Sequence, residues 1–235
     1  MSLSKYSEAF KSNLDGPIPV FVGQLDGLLF EFLSSVPKDG YFRALNLLHY
    51  GYANFRSAVL LTQGGAVAAV PSVLRNSLEA SAYGFLFHHN KDWWDLWQKR
   101  EQELNAKNKF RNSGLSNAKS ALQKEDDTLL NQFNVLYETL ISFGAHPNYF
   151  GVDEIVSYEP LEGDRVFVSF NQLAGELERE RAYLLVGQTG VFFGSILGAL
   201  WGEDVETSYF LVKLGELAET IETHAFELVE NEEST

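Results

Sequence analysis

AYLLVGQTGVFFGSILGALWG, residues 182–202, runs for 21 positions without a charged side chain. About twenty predominantly apolar residues are enough to span a bilayer, so the stretch reads either as a membrane helix or as the central helix of a folded core. Gly187, Gln188, Thr189, Ser195 and the further glycines dilute its hydrophobicity, and no cluster of Lys or Arg flanks it to set an orientation. A helix that is apolar all round, without those flanks, belongs in the middle of a bundle. Gly190, Gly194 and Gly198 recur every fourth residue and leave a strip without side chains along one face. The spacing predicts that a neighbouring helix approaches closely there.

Outward from this run, apolar residues recur at intervals of four and three, the period of an α-helix with one buried face. Tyr41, Leu45, Leu48, Tyr52, Phe55 and Val59 make one stripe. Leu129, Phe133, Leu136, Leu140 and Phe143 make a second, and Phe210, Leu214, Leu217, Ile221 and Leu228 a third, with His224 inside the series. Turn residues divide the stripes. Asp15-Gly16-Pro17 ends a short N-terminal helix, and Pro37, Asp39 and Gly40 separate a helix over 19–35 from one over 41–63 that stops at Gly64-Gly65. Gly144 and Pro147 close a helix over 125–143, and Asn112-Ser113-Gly114 is expected to interrupt the region before it. One segment has the period of a strand: residues 155–158 and 165–170 are β-rich runs on either side of a turn at Gly163. The expected fold is therefore mostly α, a multi-helix bundle with one small β-hairpin near 154–170. Residues 1–235 form a single helical domain, with 1–16 a peripheral helix and the hairpin an insertion.

The 235 residues carry a net charge of −14 and no cysteine. Disulfides, thiolate metal sites and cysteine nucleophiles are thereby excluded. The N-terminus MSLSKYSEAFKSNLDG has no apolar signal region, and the expected location is the cytoplasm. A strongly negative field repels phosphate backbones and anionic membranes. The charge is uneven, however. Seven of the 18 basic residues lie in 99–124, against only Glu101 and Glu103. This stretch reads as a solvated helical face and a polar loop, its rival being a phosphate- or partner-binding patch. The acidic C-terminal part from 203 reads as an outer helix face. No phosphate loop, His-Glu-x-x-His zinc motif, Gly-x-Ser-x-Gly elbow or di-iron Glu-x-x-His pair is present, so no cofactor is expected.

Chemistry concentrates at two places. Between Ser57 and Asn90 the only charged side chains are Arg75 and Glu79, four residues apart on a helix apolar nearly all round. They share a face and are expected to form a buried ion pair, since either charge alone would be costly. Pro71, one turn earlier, is expected to kink that helix. The second place is Ser142-Phe143-Gly144-Ala145-His146-Pro147-Asn148, a turn past a helix end in which Pro147 restrains His146 and Asn148 can cap or turn the chain. A histidine so placed can exchange protons or hydrogen-bond. The adjacent His88 and His89 point about 100° apart on a helix, and read as C-terminal caps.

The Arg75-x-x-x-Glu79 helix, followed by Ser142-x-x-x-His146-Pro147, resembles a set of uncharacterised bacterial all-helical proteins and is distantly similar to HEPN-like (higher eukaryotes and prokaryotes nucleotide-binding) bundles. The resemblance covers about residues 40–150 and rests on these two motifs. It implies an α-helical bundle, often dimeric. HEPN nucleases cut RNA without metal, with an Arg, a polar residue and then a His four to six residues on. Arg75-Asn76 matches the first half, while positions 80–82 are Ala-Ser-Ala, so His146 from another helix end would have to supply the histidine. The favoured expectation is a binding or regulatory protein that gathers Arg75, Glu79 and His146 into a polar cluster. Arg75 and Asn148 would contact a small-molecule or anionic ligand. The alternative is a HEPN-like, metal-independent RNA endonuclease in which Arg75 stabilises phosphate and His146 acts as acid or base. A homo-oligomer is expected, with no membrane partner; nucleic acid is disfavoured by the net charge.

Overall fold

Three helices open on side-chain caps. Ser2 accepts from the Lys5 amide before α1 (Leu3–Leu14), Asn90 from Asp92 before α5 (Lys91–Lys99), and Asp126 from Thr128 before α7 (Asp127–Leu140). Each occupies an otherwise orphan backbone N–H of the first turn. The computed structural model describes residues 2–35, 42–145, 156–160, 166–170, 173–202 and 205–233. Its remaining helices are α2 (Val20–Ser35), α3 (Phe42–Gln63), α4 (Val70–His89), α6 (Leu104–Glu125), α8 (Glu176–Trp201) and α9 (Val205–Glu233). The chain is a helical bundle, as the 4-3 spacing predicts.

The uncharged run is the C-terminal part of α8, which packs against α2, α3, α4, α7 and α9. Phe192, Phe193, Ile196 and Leu197 are almost wholly buried. By length and composition α8 could cross a membrane, yet 67% of its most apolar window is buried inside the fold. The glycine strip is filled by side chains from several helices. A methyl group at Gly190 would lie 2.6 Å from Leu25 of α2 and 2.7 Å from Phe55 of α3. At Gly194 it would meet Leu214 at 2.8 Å, and at Gly198 Leu211 at 2.5 Å, both from α9. The strip therefore admits α9 along two glycines and the α2–α3 pair at the third, where a single neighbour was expected.

Two sequence expectations are corrected. Helix α6 runs unbroken through Asn112-Ser113-Gly114. Those residues weaken a helix by up to about 1 kcal/mol each, but Ala106, Phe110, Gly114, Ala118 and Leu122 form a buried stripe at strict intervals of four. Burial of that face outweighs the local preference. Pro71 lies in the first turn of α4, where its missing N–H has no intrahelical partner to lose, and the helix continues through Val70–His89 without a break.

Gly65 takes φ +86° where α3 ends and Gly144 takes φ +115° in the turn that follows α7. Both lie in the left-handed region that glycine enters without a Cβ clash. The backbone of β1 (Val156–Pro160) pairs antiparallel with β2 (Val166–Phe170), Val156 opposite Phe170 and Pro160 opposite Val166. The expected turn at Gly163 and the first residue of the Tyr41 stripe lie outside the described residues.

Candidate functional site

Arg75 and Glu79 sit one turn apart on α4 and do pair: Arg75 Nε donates to Glu79 Oε1 at 2.8 Å. Their side chains are 23% and 25% exposed, so the pair is at the rim of the core, half-buried, where full burial was expected. The reason is the neighbour. Tyr137 of α7 covers the pair from one side, accepting a hydrogen bond from Arg75 Nη2 at 2.9 Å. The guanidinium carbon lies 5.0 Å from the Tyr137 ring centroid, within the range in which a cation gains from the ring quadrupole.

A second cation reaches the same ring. Lys119 of α6 places its ammonium 5.2 Å from the Tyr137 centroid and 5.4 Å from that of Phe133, whose rings stack at 5.4 Å. Tyr83 follows Glu79 by one turn of α4 and packs against Phe110 at 5.1 Å. Burial, and after it the charge on Glu79, raises the hydroxyl pKa of Tyr83 and of Tyr137 above the ordinary value. Burial pulls the Arg75 guanidinium down, but the Glu79 hydrogen bond and charge outweigh it and the net shift is upward. Both phenols are neutral and Arg75 is cationic at any physiological pH. The cluster can therefore donate hydrogen bonds and attract negative charge.

The basic stretch is a solvated face, as expected: Lys99, Lys107, Lys109, Arg111 and Lys124 are exposed, and Arg100 and Lys119 half-buried. Arg100 lies over Trp97 and Phe110 at 5.0 and 5.4 Å, and Lys109 over Trp93 at 5.9 Å. With Lys119, three of its cations are seated on aromatic rings. The signal was present in sequence as Trp93, Trp94, Trp97 and Phe110 interleaved with the charges, and Tyr137 lay four residues past Phe133 in the second stripe.

The other expected residues divide as follows. Asn76 is exposed on α4. His146 and Asn148 lie outside the described residues, so their meeting with Arg75 is not part of the geometry. The chain approaching them is positioned: Ser72 of α4 donates to the Gly144 carbonyl at 3.5 Å. The helical turn Ile141–Ala145 is thereby brought to the first turn of α4, one turn before Arg75. His88 and His89 end α4 as expected, and Asn90 then caps α5. Among the described residues no group of three or more His, Cys, Asp or Glu could hold a metal ion. No family model, curated protein or solved structure matches the chain.

Proposed function

We propose that this chain is a binding or regulatory protein whose ligand is an anion taken at the Arg75–Tyr137–Lys119 cluster. The observation that carries the reading is the convergence of two cations, Arg75 and Lys119, on one tyrosine ring at a half-buried site. In a chain of net charge −14, such a local excess of positive charge is where an anion finds a favourable potential. Glu79 orients Arg75, and Tyr137 fixes the guanidinium plane by hydrogen bond and ring contact. His146 and Asn148, which follow Ala145 in the sequence, are the further ligand contacts of this reading. In this reading the chain is one cytoplasmic domain, with the 154–170 hairpin an insertion and α1, which buries no residue, at the periphery. Exposed apolar residues on α9, such as Tyr209, Val212 and Phe226, support self-association, and the burial of α8 supports a chain without a membrane partner.

The test is a thermal-shift titration with inorganic phosphate against sodium chloride at matched ionic strength. Phosphate should raise the wild-type melting temperature saturably, and Lys119→Gln should require several-fold more. An identical response to the two salts counts against the site.

The second reading, an HEPN-like metal-independent endonuclease, is favoured by one observation: Lys119, from the basic stretch, lies beside the ring that holds Arg75. Against it stand Ala80, Ser81 and Ala82, where the nuclease pattern calls for a histidine after Arg75-Asn76. Cleavage of a fluorophore-quencher single-stranded RNA by the wild type in chelator, abolished in His146→Ala, would select this reading.

A further inference from the structure

Away from the Arg75 cluster, the segment joining α1 to α2, the first turns of α8 and the middle of α9 enclose an open cleft of about 1070 Å³. Its walls differ. One carries Pro17, Ile18, Val20 and Phe21, with Val20 75% and Ile18 37% exposed. The other carries the carboxylates of Glu176, Glu180, Glu219 and Glu227. Among the described residues Arg179 is the one Lys or Arg in the lining; His224, also in it, lies 3.9 Å from Glu227, and Glu216 already holds Lys213 at 2.7 Å. Between the walls stands Tyr183, 6% exposed. Its ring is buried while no hydrogen bond to its hydroxyl is made among the described residues. Tyr183 lines the cleft, so its hydroxyl can hydrogen-bond to a group that enters.

The cleft is also held open. Gln63 of α3 donates to the Leu14 and Gly16 carbonyls at 2.8 Å each, and Asn13 donates to the Gly64 carbonyl at 3.0 Å. These bonds clamp the α1–α2 segment to α3, so the apolar wall is in place before anything binds.

We infer that this cleft binds an extended basic peptide segment of a partner protein. Its volume passes the roughly 300–1,000 Å³ typical of small-molecule pockets. Lysine or arginine suits both walls at once: the alkyl stem lies along Ile18 and Val20 while the charged head reaches the carboxylates. A peptide backbone supplies a C=O or N–H to the Tyr183 hydroxyl in place of water. This inference is independent of the anion site, which lies on α4, α6 and α7.

Fluorescence anisotropy with a labelled octapeptide of alternating Lys and Ala tests it on the full chain. Saturable binding is expected, with no binding of the Glu-Ala counterpart. Tyr183→Phe, which removes one oxygen and no packing, should weaken binding about five-fold, the equivalent of one hydrogen bond. Glu180→Gln with Glu219→Gln should weaken it about ten-fold or more. Glu103→Gln with Glu138→Gln, the same charge change elsewhere on the surface, should change it less than about two-fold. The inference is overturned if the two double variants weaken binding equally, because net charge alone would then attract the peptide. It is overturned as well if Tyr183→Phe binds like the wild type, or if spermine displaces the peptide at equal concentration, which would make the cleft a site for small cations.

Discussion

Gly190→Ala and Gly215→Ala make the same chemical change in two helices, and they should move stability in opposite directions. At Gly190 the added methyl group would lie 2.6 Å from Leu25 Cδ2 and 2.7 Å from Phe55 Cε2, and both residues are 0% exposed. Neither neighbour can swing into solvent, so the helices must separate or the rotamers must strain. Overpacking of this kind costs about 1–3 kcal/mol, and two simultaneous clashes put it near the upper end. Against that, alanine regains about 1 kcal/mol of helix propensity. The net expectation is a loss of about 2 kcal/mol, or a melting temperature lower by about 4–8 °C for a domain of this size. At Gly215, on α9, a methyl group would meet nothing within 4 Å. Only the propensity gain remains, and stability should rise by about 0.5–1 kcal/mol. Urea denaturation followed by far-UV circular dichroism measures both. If Gly190→Ala is as stable as the wild type, or if the two variants shift together, the close approach at α8 is refuted.

Glu79→Ala removes the carboxylate from an Arg75 side chain that is 23% exposed, so the loss should be about 1–2 kcal/mol and not the larger cost of stranding a fully buried charge; urea titration of the variant checks it. Ser77→Ala removes a fully buried hydroxyl that has no hydrogen-bond partner among the described residues, and should be neutral or stabilise by up to about 1 kcal/mol in the same assay. His88 has its pKa lowered from 6.5 by burial, then by the charges of His89 and Arg43. The unfolded chain thus takes up that proton at higher pH than the folded one. The stability His88 contributes is present above pH 6.5 and is lost as the pH falls toward the folded pKa. Melting temperatures between pH 7.5 and 5 should therefore decline less steeply in His88→Gln than in the wild type, as judged on a scale set by the ordinary histidine pKa of about 6.5.

The helices were legible because their buried faces recur at intervals of three and four and because glycine and proline mark the ends, as at Gly64-Gly65 and Asp15-Gly16-Pro17. Asn112-Ser113-Gly114 has the local propensity of a break, but the buried stripe Ala106–Leu122 that runs through it outweighs that preference. The effect of Pro71 depends on where the helix begins, and the sequence alone does not mark Val70 as the start. The ion pair was legible from two isolated charges spaced by four. Its burial was not, since the depth of α4 depends on α7, and Tyr137 lies 62 residues from Arg75. Long-range pairing of that kind leaves no period in the sequence. The cleft at Tyr183 was hidden for the same reason: its walls come from three separate stretches of chain.

The proposed anion site at Tyr137 is tested most directly by isothermal titration calorimetry of inorganic phosphate into the wild type and Lys119→Gln at constant ionic strength. Saturable heat in the wild type is expected, with affinity at least several-fold weaker in the variant, whose fold is conserved by circular dichroism. Equal isotherms for the two proteins, or no saturable heat in either, would contradict a site built on Arg75, Tyr137 and Lys119.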